Sequence, residues 1–518
     1  MAADKKMYRL SPGPIADALF CLAPDRDERA SQICSEMLLT LVQNDYNFST
    51  GADDLSSPKR QLFAIRSLAL GENFLGGRTD SHAGDAETTA AQFGFMLSTG
   101  SEVRGSANLK LVQMAMQGLI DPETQRGQPG SWLLRPFHES LLWYDARKSK
   151  PGTKEYSVRK VYMRGSGITV ARMLAEPNVA GATSYGLSAV DAIRSALTAP
   201  SPLADVSAAL EAALPPNHAW SDKPLPLEND ERDAWDRGGD PRLDELASRL
   251  CKHAEGIMQQ SNASSPSKLW QLRCIIALDI AIHTLRTAWN YTKAPNSERF
   301  LLLAFGSAPR AQDSVRQKSE DSYRRSRIRL SEATTQMLAE RMRELKAAGV
   351  KNFGAEFRDP RLAKDEEGSV ASLLRDLPIE SSMSSYNKIA RLAVESSNYS
   401  RASEDGFRVL IESCGMLVGT GAYRYLTASP DMMAAMVGAL SLVMPVSSKS
   451  FMNLVRAEWG IVIDQEAAAQ TDLLWQLDGA DMARNARSAD RLMNDAGLAV
   501  GLSDRTTVVG ERAARKRL

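Results

Sequence analysis

The sequence predicts a mainly α, multidomain helical protein. At 518 residues the chain exceeds the size at which one core stops growing, about 250–300 residues, so several domains are expected. Ala, Leu, Arg and Met, which favour helix, are abundant, and the share of hydrophobic residues, 43%, is that of an ordinary globular protein. Apolar residues also recur at helical spacing in most segments, whereas strand-like alternation is confined to short stretches.

The formal net charge of the chain is zero, because Lys+Arg and Asp+Glu are both 63. The field of the whole molecule therefore does not attract polyanions, which argues against a histone-like protein or a nonspecific DNA coat. Any attraction to nucleic acid must come from local basic patches.

The cysteine pattern predicts reduced core residues of a cytoplasmic protein. The cysteines are odd in number, lie in apolar helical segments and include no C-x-x-C pair: Cys21, Cys34, Cys251, Cys274 and Cys414. The N-terminus lacks a long apolar segment with a cleavage site, so secretion is not indicated. The uncharged run 432–446 is too short to span a membrane and is interrupted by Pro445. It predicts a buried helix, and no membrane partner is expected.

Residues 1–197 are expected to form an N-terminal, mainly helical domain. The segment 28–43 carries apolar residues at helical spacing, and alternation in 155–164 predicts short strands. Residues 198–241 concentrate Pro, Asp and Gly around one short helix, which predicts a linker and the clearest domain boundary.

Residues 242–349 are expected to form an antiparallel helical bundle. Three long helical patterns cover 243–259, 267–291 and about 311–348, the last being rich in arginine. A second linker is expected at 350–384, followed by a helical segment over 385–450.

Residues 451–518 predict a winged-helix-like module with a basic tail. The order is a helix, or a helix running into a strand, over 451–463, a second helix over 464–477, a third helix ending at Gly497, and a hairpin around 503–505. Helical subdomains that end in a hairpin and contact proteins share this order, so DNA readout and protein docking both stay open.

The stretch "SYRRSRIRL" (322–330) lies on the long arginine-rich helix and predicts a cationic face beside an apolar stripe. Helical spacing places Arg324 near Arg327 and Arg325 near Arg329, while Tyr323, Ile328 and Leu330 can turn inward. Such a face could neutralise phosphates of nucleic acid. The alternative is a solvated face whose arginines pair with carboxylates of a neighbouring helix or subunit. The candidate nucleic-acid-binding residues are Arg316, Lys318, Arg324, Arg325, Arg327 and Arg329.

A second basic patch is expected on the third C-terminal helix, where Arg484, Arg487 and Arg491 share a side. In a winged-helix module this helix would be the recognition helix. Basic and acidic residues nearly balance from 456 to the end of the chain, so the patch does not belong to a basic domain.

No motif fixes a reaction or a cofactor. The Gly-rich segments 299–310 and 414–425 lack the Lys-Ser/Thr of a phosphate loop, 163–170 lacks G-x-S-x-G, and the histidines show no zinc spacing. Asp279, His283 and Arg286 lie on one helix face, so Asp279 could hold the His283 imidazole for acid–base chemistry. The alternative is a buried polar network that fixes helix register.

The segments 321–342 ("DSYRRSRIRLSEATTQMLAERM") and 486–509 ("ARSADRLMNDAGLAVGLSDRTTVV") resemble large helical accessory proteins encoded beside ATPases and nucleases in bacterial anti-phage defence loci. The resemblance implies a partner in a nucleic-acid-directed complex. The resemblance does not identify any active-site residue in this chain.

The leading hypothesis is therefore a non-catalytic accessory or scaffold subunit of such a complex, which binds DNA and other protein subunits, an ATPase or a nuclease among them. The alternatives are a hydrolase or nuclease whose site the sequence does not reveal, with Asp279 and His283 as the nominated pair, and a purely structural helical scaffold.

Overall fold

The structure, a computed structural model, is mainly helical. It describes residues 10, 15, 18–23, 28–48, 54–58, 139, 146–148, 156–158, 164–200, 226–306, 313–357, 359–364, 366–396, 399–440, 445–473, 475–503 and 506–510. Most of the predicted N-terminal domain, the 201–225 part of the first predicted linker and the predicted basic tail at 511–518 lie outside the described residues.

Helices carry most of the described chain. They are α1 (Ala30–Gln43), α2 (Ser166–Ala175), α3 (Ala182–Leu197), α4 (Asn229–Arg237), α5 (Asp244–Met258), α6 (Ser265–Tyr291), α7 (Ser314–Ala347), α8 (Pro360–Ala363), α9 (Val370–Asp376), α10 (Met383–Ser396), α11 (Tyr399–Ser413), α12 (Pro430–Ala439), α13 (Ser448–Trp459), α14 (Gln465–Ala468) and α15 (Gly479–Asp495). In the described part of the chain, no helix is both long and apolar enough to cross a membrane.

The strands are short and form small, separate sheets. They are β1 (Ala146–Lys148), β2 (Tyr156–Val158), β3 (Leu301–Leu302), β4 (Leu417–Val418), β5 (Tyr425–Leu426), β6 (Val446–Ser447), β7 (Ile461–Val462), β8 (Ala499–Ser503) and β9 (Thr506–Val509). Antiparallel pairs join β1 to β2 and β4 to β5, and β3 pairs with β7 in parallel. The remaining sheet has the order β6-β9-β8, with both pairs antiparallel.

Helix α6 lies at the centre of the molecule. Its side chains between Leu269 and Trp289 are nearly all buried, and it packs against α1, α3, α5, α7, α11 and α12. A helix that is apolar nearly all round is stable only when other elements cover every side. Ser264 caps its N-terminus, with Pro266 in the first turn, where a missing N–H is tolerated.

One main core runs through most of the described chain. It joins residues of α1, α2 and α3 to residues of α5, α6, α11, α12, α13 and β9. A second core packs the C-terminal half of α7 against α9 and α10, and a third lies around β3, β7 and α14. The main core therefore contains residues from both sides of the predicted 198–241 linker.

The structure confirms the long helices predicted for 242–349, which appear as α5, α6 and α7. The buried helix predicted for 432–446 is shorter in the structure: α12 ends at Ala439, residues 441–444 lie outside the described residues, and Val446 belongs to β6. All five cysteines are buried, as the sequence predicts. The second predicted linker, 350–384, contains the helices α8 and α9.

The C-terminal elements follow the predicted order, with one difference in length. Helix α13 leads through Gly460 into β7, α15 is followed by Gly497 at φ +74°, and β8 and β9 form the hairpin. The second predicted helix is short, because α14 has four residues where the sequence pattern covers 464–477. After its end, the Thr471 hydroxyl donates locally to the Ala468 carbonyl, and the Asp472 N–H makes a tertiary hydrogen bond to the Ser297 carbonyl.

The N-terminus of α2 is capped by buried carboxyl groups from distant parts of the chain. The carboxyl group of Glu36 accepts hydrogen bonds from the N–H groups of Gly165 at 3.1 Å and Gly167 at 2.7 Å. Glu28 accepts from the Ser166 hydroxyl at 3.0 Å. A Cβ at Gly167 would lie 2.5 Å from the Ile33 carbonyl oxygen, so this approach of α1 to α2 requires glycine.

Burial of Glu36 and the nearby charge of Glu28 raise the pKa of the Glu36 carboxyl to about 8. The hydrogen bonds from Gly167 and Gly165 lower this pKa, but their effect is smaller. Between about pH 5 and pH 8 the unfolded chain releases this proton while the folded chain keeps it, so stability is highest below this window and falls as pH rises. We expect the free energy of unfolding to fall by as much as about 1.4 kcal/mol per pH unit in this range. Urea titrations at several pH values would measure it.

The uncharged Glu36→Gln variant should flatten this pH dependence. The matched control is Glu344→Gln, because Glu344 is an exposed partner of Arg341. A wild-type chain whose stability rises from pH 5 to pH 8, or a Glu36→Gln variant with the wild-type slope, would contradict this assignment of the buried proton.

Candidate functional site: two basic helix faces and a cleft along α7

The arginine-rich stretch lies in the first half of α7, a helix of 34 residues. The carboxylate of Asp313 caps it by accepting from the Arg316 N–H at 2.9 Å. Tyr323 and Leu330 are buried as predicted, but Ile328 is 49% exposed. The expectation that Ile328 turns inward is wrong, because five helical steps carry it about 140° away from Tyr323.

Three of the predicted basic residues of α7 pair with carboxylates of other elements. Arg325 lies 3.0 Å from Asp472, Arg327 lies 2.6 Å from Glu404 on α11, and Arg329 lies 2.7 Å from Glu298. These pairs agree with the alternative prediction, in which arginines of this helix face pair with carboxylates of neighbouring elements. They connect α7 to α11, to the turn before β3 and to the segment after α14.

The other three predicted residues pair within α7. Arg316 lies 3.9 Å from Glu320, and both Lys318 and Arg324 lie near Asp321, Arg324 at 2.7 Å. The guanidinium of Arg316 also lies 4.4 Å from the centre of the Tyr425 ring. A phosphate would therefore have to displace a carboxylate from each of these side chains, and exchanging one anion for another gains little Coulomb energy.

A cleft of about 850 Å³ runs along this part of α7, between it, α10 and the loop 421–424. Its lining is strongly charged. The basic residues are Arg324, Arg327, Lys388, Arg391 and Arg424, and the acidic residues are Glu320, Asp321, Glu332, Glu395 and Glu404. Of the predicted α7 residues, Arg324 and Arg327 line this cleft.

The second predicted basic face lies on α15. Arg484, Arg487 and Arg491 are all exposed, and they line a smaller cleft of about 330 Å³ together with Asp313 and Asp481. Arg484 pairs with Asp481 at 2.9 Å. Within the described residues, Arg487 and Arg491 have no carboxylate within 4.0 Å.

The acidic residue between these arginines is turned away from them. Asp490 accepts a hydrogen bond from the Ser448 hydroxyl of α13, and burial raises the pKa of its carboxyl. Asn485 fixes the inner side of α15: its amide donates to the carbonyls of Leu303 and Ile463, and its oxygen accepts from the Phe305 N–H at 2.7 Å. The outer side of α15 is therefore held in a defined orientation with Arg487 and Arg491 facing solvent.

Two exposed apolar side chains near α15 were missed by sequence reasoning. Trp475, in the segment just before α15, is 90% exposed, and Leu502, in β8 of the hairpin, is 58% exposed. Contiguous exposed apolar patches are typical of contact surfaces, and tryptophan is enriched where such contacts contribute most to affinity. The sequence indicates only that Trp475 is an aromatic residue within 464–477, a segment whose apolar spacing also fits a helix. Helical periodicity therefore could not predict that the Trp475 side chain is exposed.

The nominated catalytic pair is not formed. Asp279 is fully buried, and its carboxylate contacts Nδ1 of His253 at 2.7 Å and accepts from Nε1 of Trp459 at 2.8 Å. His283 instead bonds through Nε2 to the Phe20 carbonyl at 2.9 Å. The predicted partnership of Asp279 with His283 is wrong, because the neighbouring helix α5 supplies the imidazole.

Arg286 is also engaged elsewhere: it pairs with Glu245 at 2.7 Å and donates to the Glu458 carbonyl. Burial raises the pKa of Asp279, but His253, Arg249 and the Trp459 N–H together outweigh burial, so the pKa of this carboxyl is lowered. Neither Asp279 nor His283 lines the clefts along α7, at α15 or between α5 and α12. The arrangement fits the alternative of a buried network that fixes helix register.

The third cleft, of about 950 Å³, lies between α5, α12 and the segment 496–498. Amide and small side chains dominate its lining, and its ionisable residues are Glu255 and Asp431. Asp431 is engaged by the Trp270 Nε1–H at 2.9 Å. Among the described residues that line it, this cleft therefore offers no cation to recognise a phosphate.

Comparison with protein-family models, curated proteins and solved structures finds no match to this chain. Within the described residues, no group of three or more His, Cys, Asp or Glu side chains is arranged to hold a metal ion.

Replacing Asp279 by alanine should destabilise the fold strongly, because it leaves His253 and Arg249 buried without their shared carboxylate. We expect a loss of about 3–5 kcal/mol in the free energy of unfolding, measured by urea titration. The matched control is Asp236→Ala, since Asp236 is 64% exposed and pairs with Arg172 at the surface, and its loss should change stability by no more than about 0.5 kcal/mol. Equal losses in the two variants would contradict a structural role for the network.

Proposed function

We propose that this chain is a non-catalytic accessory subunit of a nucleic-acid-directed complex, and that its C-terminal part is a winged-helix-like module that binds DNA through α15. The observation that carries this proposal is the pair Arg487 and Arg491, which are exposed and free of carboxylate partners within the described residues. A guanidinium without a carboxylate partner can bind phosphate at full strength, releasing a counterion as it does so.

The arrangement of elements around α15 supports the same proposal. Helices α13, α14 and α15 precede the hairpin of β8 and β9, and β6 completes a three-stranded sheet with that hairpin. The exposed Leu502 lies in the hairpin, where an apolar side chain can contact a groove of DNA. The Asn485 hydrogen bonds hold α15 rigidly against the molecule, as a helix that enters the major groove requires.

The α7 arginines have a different role in this proposal. Their carboxylate partners on α11, before β3 and after α14 favour a stabilising function or a contact with a partner protein over direct phosphate binding. The predicted DNA contacts of Arg316 to Arg329 therefore stay a prediction and are secondary to those of α15. The partner proteins that we propose are other subunits of a bacterial anti-phage complex, an ATPase or a nuclease, in keeping with the resemblance of 321–342 and 486–509.

Titration of labelled duplex DNA with the full chain, followed by fluorescence anisotropy at about 0.05 M and 0.2 M salt, tests the proposal. We expect binding that weakens steeply with salt. The double change Arg487→Gln and Arg491→Gln should weaken binding and reduce the slope of log K against log salt by about 2, since each lost phosphate contact removes about 1.

The matched control is Arg361→Gln, which removes one surface arginine that already pairs with Asp359 at 2.8 Å and should leave DNA binding unchanged. Absence of DNA binding at low salt would overturn the proposal. So would a double variant that binds with the wild-type affinity and salt slope.

A further inference from the structure

We propose that the cleft along α7 binds a small organic anion that carries a planar ring, of the nucleotide kind. This site is separate from the α15 face and does not depend on DNA binding there. The proposal rests on the unpaired charge of the cleft, an unsatisfied hydroxyl in its wall and an exposed aromatic ring in its lining.

The charge in the cleft favours an anion, although acidic and basic residues are equal in number. Each acidic side chain already contacts an arginine: Glu320 with Arg316, Asp321 with Arg324, Glu332 with Arg329, Glu395 with Arg391 and Glu404 with Arg327. In the part of the chain that the structure describes, Lys388 and Arg424 have no carboxylate within 4.0 Å. Two cations are therefore left to bind a ligand charge.

Tyr323 provides the second observation. Its side chain lines the cleft, the residue is only 4% exposed, and its hydroxyl has no hydrogen-bond partner within the described residues. Leaving a buried donor without a hydrogen-bond partner is unfavourable, so a bound ligand that accepts from this hydroxyl would gain affinity. The Arg424 guanidinium is close enough to lower the pKa of this hydroxyl, but no hydrogen bond of normal geometry joins the two groups. An anion bound by Arg424 could therefore also accept a hydrogen bond from Tyr323.

The electrostatics at Tyr323 agree with a negatively charged partner. Burial raises the pKa of the hydroxyl, while the positive charges of Arg327, Arg424 and Arg408 act in the opposite direction. Three guanidinium groups thus act on one buried phenol. The Nε atom of Arg327 is also buried without a hydrogen-bond partner in the described chain, so it offers a further donor.

The lining of the cleft also contains a surface that suits a ring. Tyr423 is 59% exposed and Ile328 is 49% exposed, and both line the cleft. The loop that carries Tyr423 turns tightly at Gly419, which has φ +94° and where a Cβ would lie 2.5 Å from the Tyr423 carbonyl oxygen. Glycine at 419 therefore lets the backbone bring Tyr423 to the cleft. Any planar ring can stack on an exposed tyrosine. We therefore assign the ligand only as an anion with a planar ring and do not assign the identity of the ring.

Isothermal titration of the full chain with adenosine monophosphate (AMP), adenosine and inorganic phosphate tests the assignment. We expect AMP to bind more tightly than either fragment. Tyr323→Phe keeps the ring and removes only the hydroxyl, so the fold is preserved while AMP binding should weaken by about fivefold to tenfold. Arg424→Gln should weaken it by tenfold or more, because a charged hydrogen bond is lost.

Two controls separate this site from other arginines. Arg341→Gln changes an arginine of α7 that pairs with Glu344 and does not line the cleft, and Arg487→Gln changes the α15 face, so neither should alter AMP binding. Failure of AMP to bind at millimolar concentration would overturn the proposal, as would wild-type affinity in both Tyr323→Phe and Arg424→Gln. Equal affinity for AMP and inorganic phosphate would overturn the ring-bearing class of ligand. Because DNA binding is measured on α15 variants, the two proposals can fail independently.

Discussion

The buried carboxylate of Asp279 is the interaction on which the rest of the structure depends. It lies on the central helix α6 and has lost all contact with water, so it requires partners that compensate for the lost hydration. Those partners come from two other elements, His253 of α5 and Trp459 of α13. An ionised group that can be satisfied in only one arrangement fixes how three helices meet, whereas apolar contacts alone would tolerate several registers.

The position of the α15 face depends on this network. Trp459 ends α13, Gly460 turns the chain with φ +70°, and β7 then pairs with β3. Asn485 of α15 bonds the carbonyl of Leu303, just after β3, and that of Ile463, just after β7. The orientation of the exposed arginines is thus set by a series of hydrogen bonds that begins in the core. By contrast, the α7 cleft is bounded by α10 and the loop 421–424. The helices that line it pack into the second core as well as the main core.

The sequence predicts what depends on local pattern and misses what depends on distant partners. Helices α5, α6 and α7 carry enough periodic apolar residues for their extent to be predicted, and Gly497 marks the end of α15. Helical spacing suggested His283 as the partner of Asp279 because it is four residues away, but an imidazole from another helix fits the carboxylate better. The carboxylates that pair with Arg325, Arg327 and Arg329 lie at positions 472, 404 and 298, so no local pattern could reveal that the cationic face is neutralised. Likewise, only the three-dimensional structure shows that, within the described residues, Arg487 and Arg491 have no carboxylate within 4.0 Å and the Tyr323 hydroxyl has no hydrogen-bond partner.

The spread of the main core along the chain has a consequence for how the molecule is made. The core contains both Leu19 and Val509, and the carboxyl groups that cap α2 are more than a hundred residues from the N–H and hydroxyl groups that they bind. Contacts of such long range form slowly, because a large loop must close before they stabilise anything. A chain emerging from the ribosome cannot complete this core until Val509 has been synthesised, so the apolar sides of its earlier helices stay uncovered until then. Assistance from chaperones during synthesis would therefore benefit this protein more than one built from small, self-contained units.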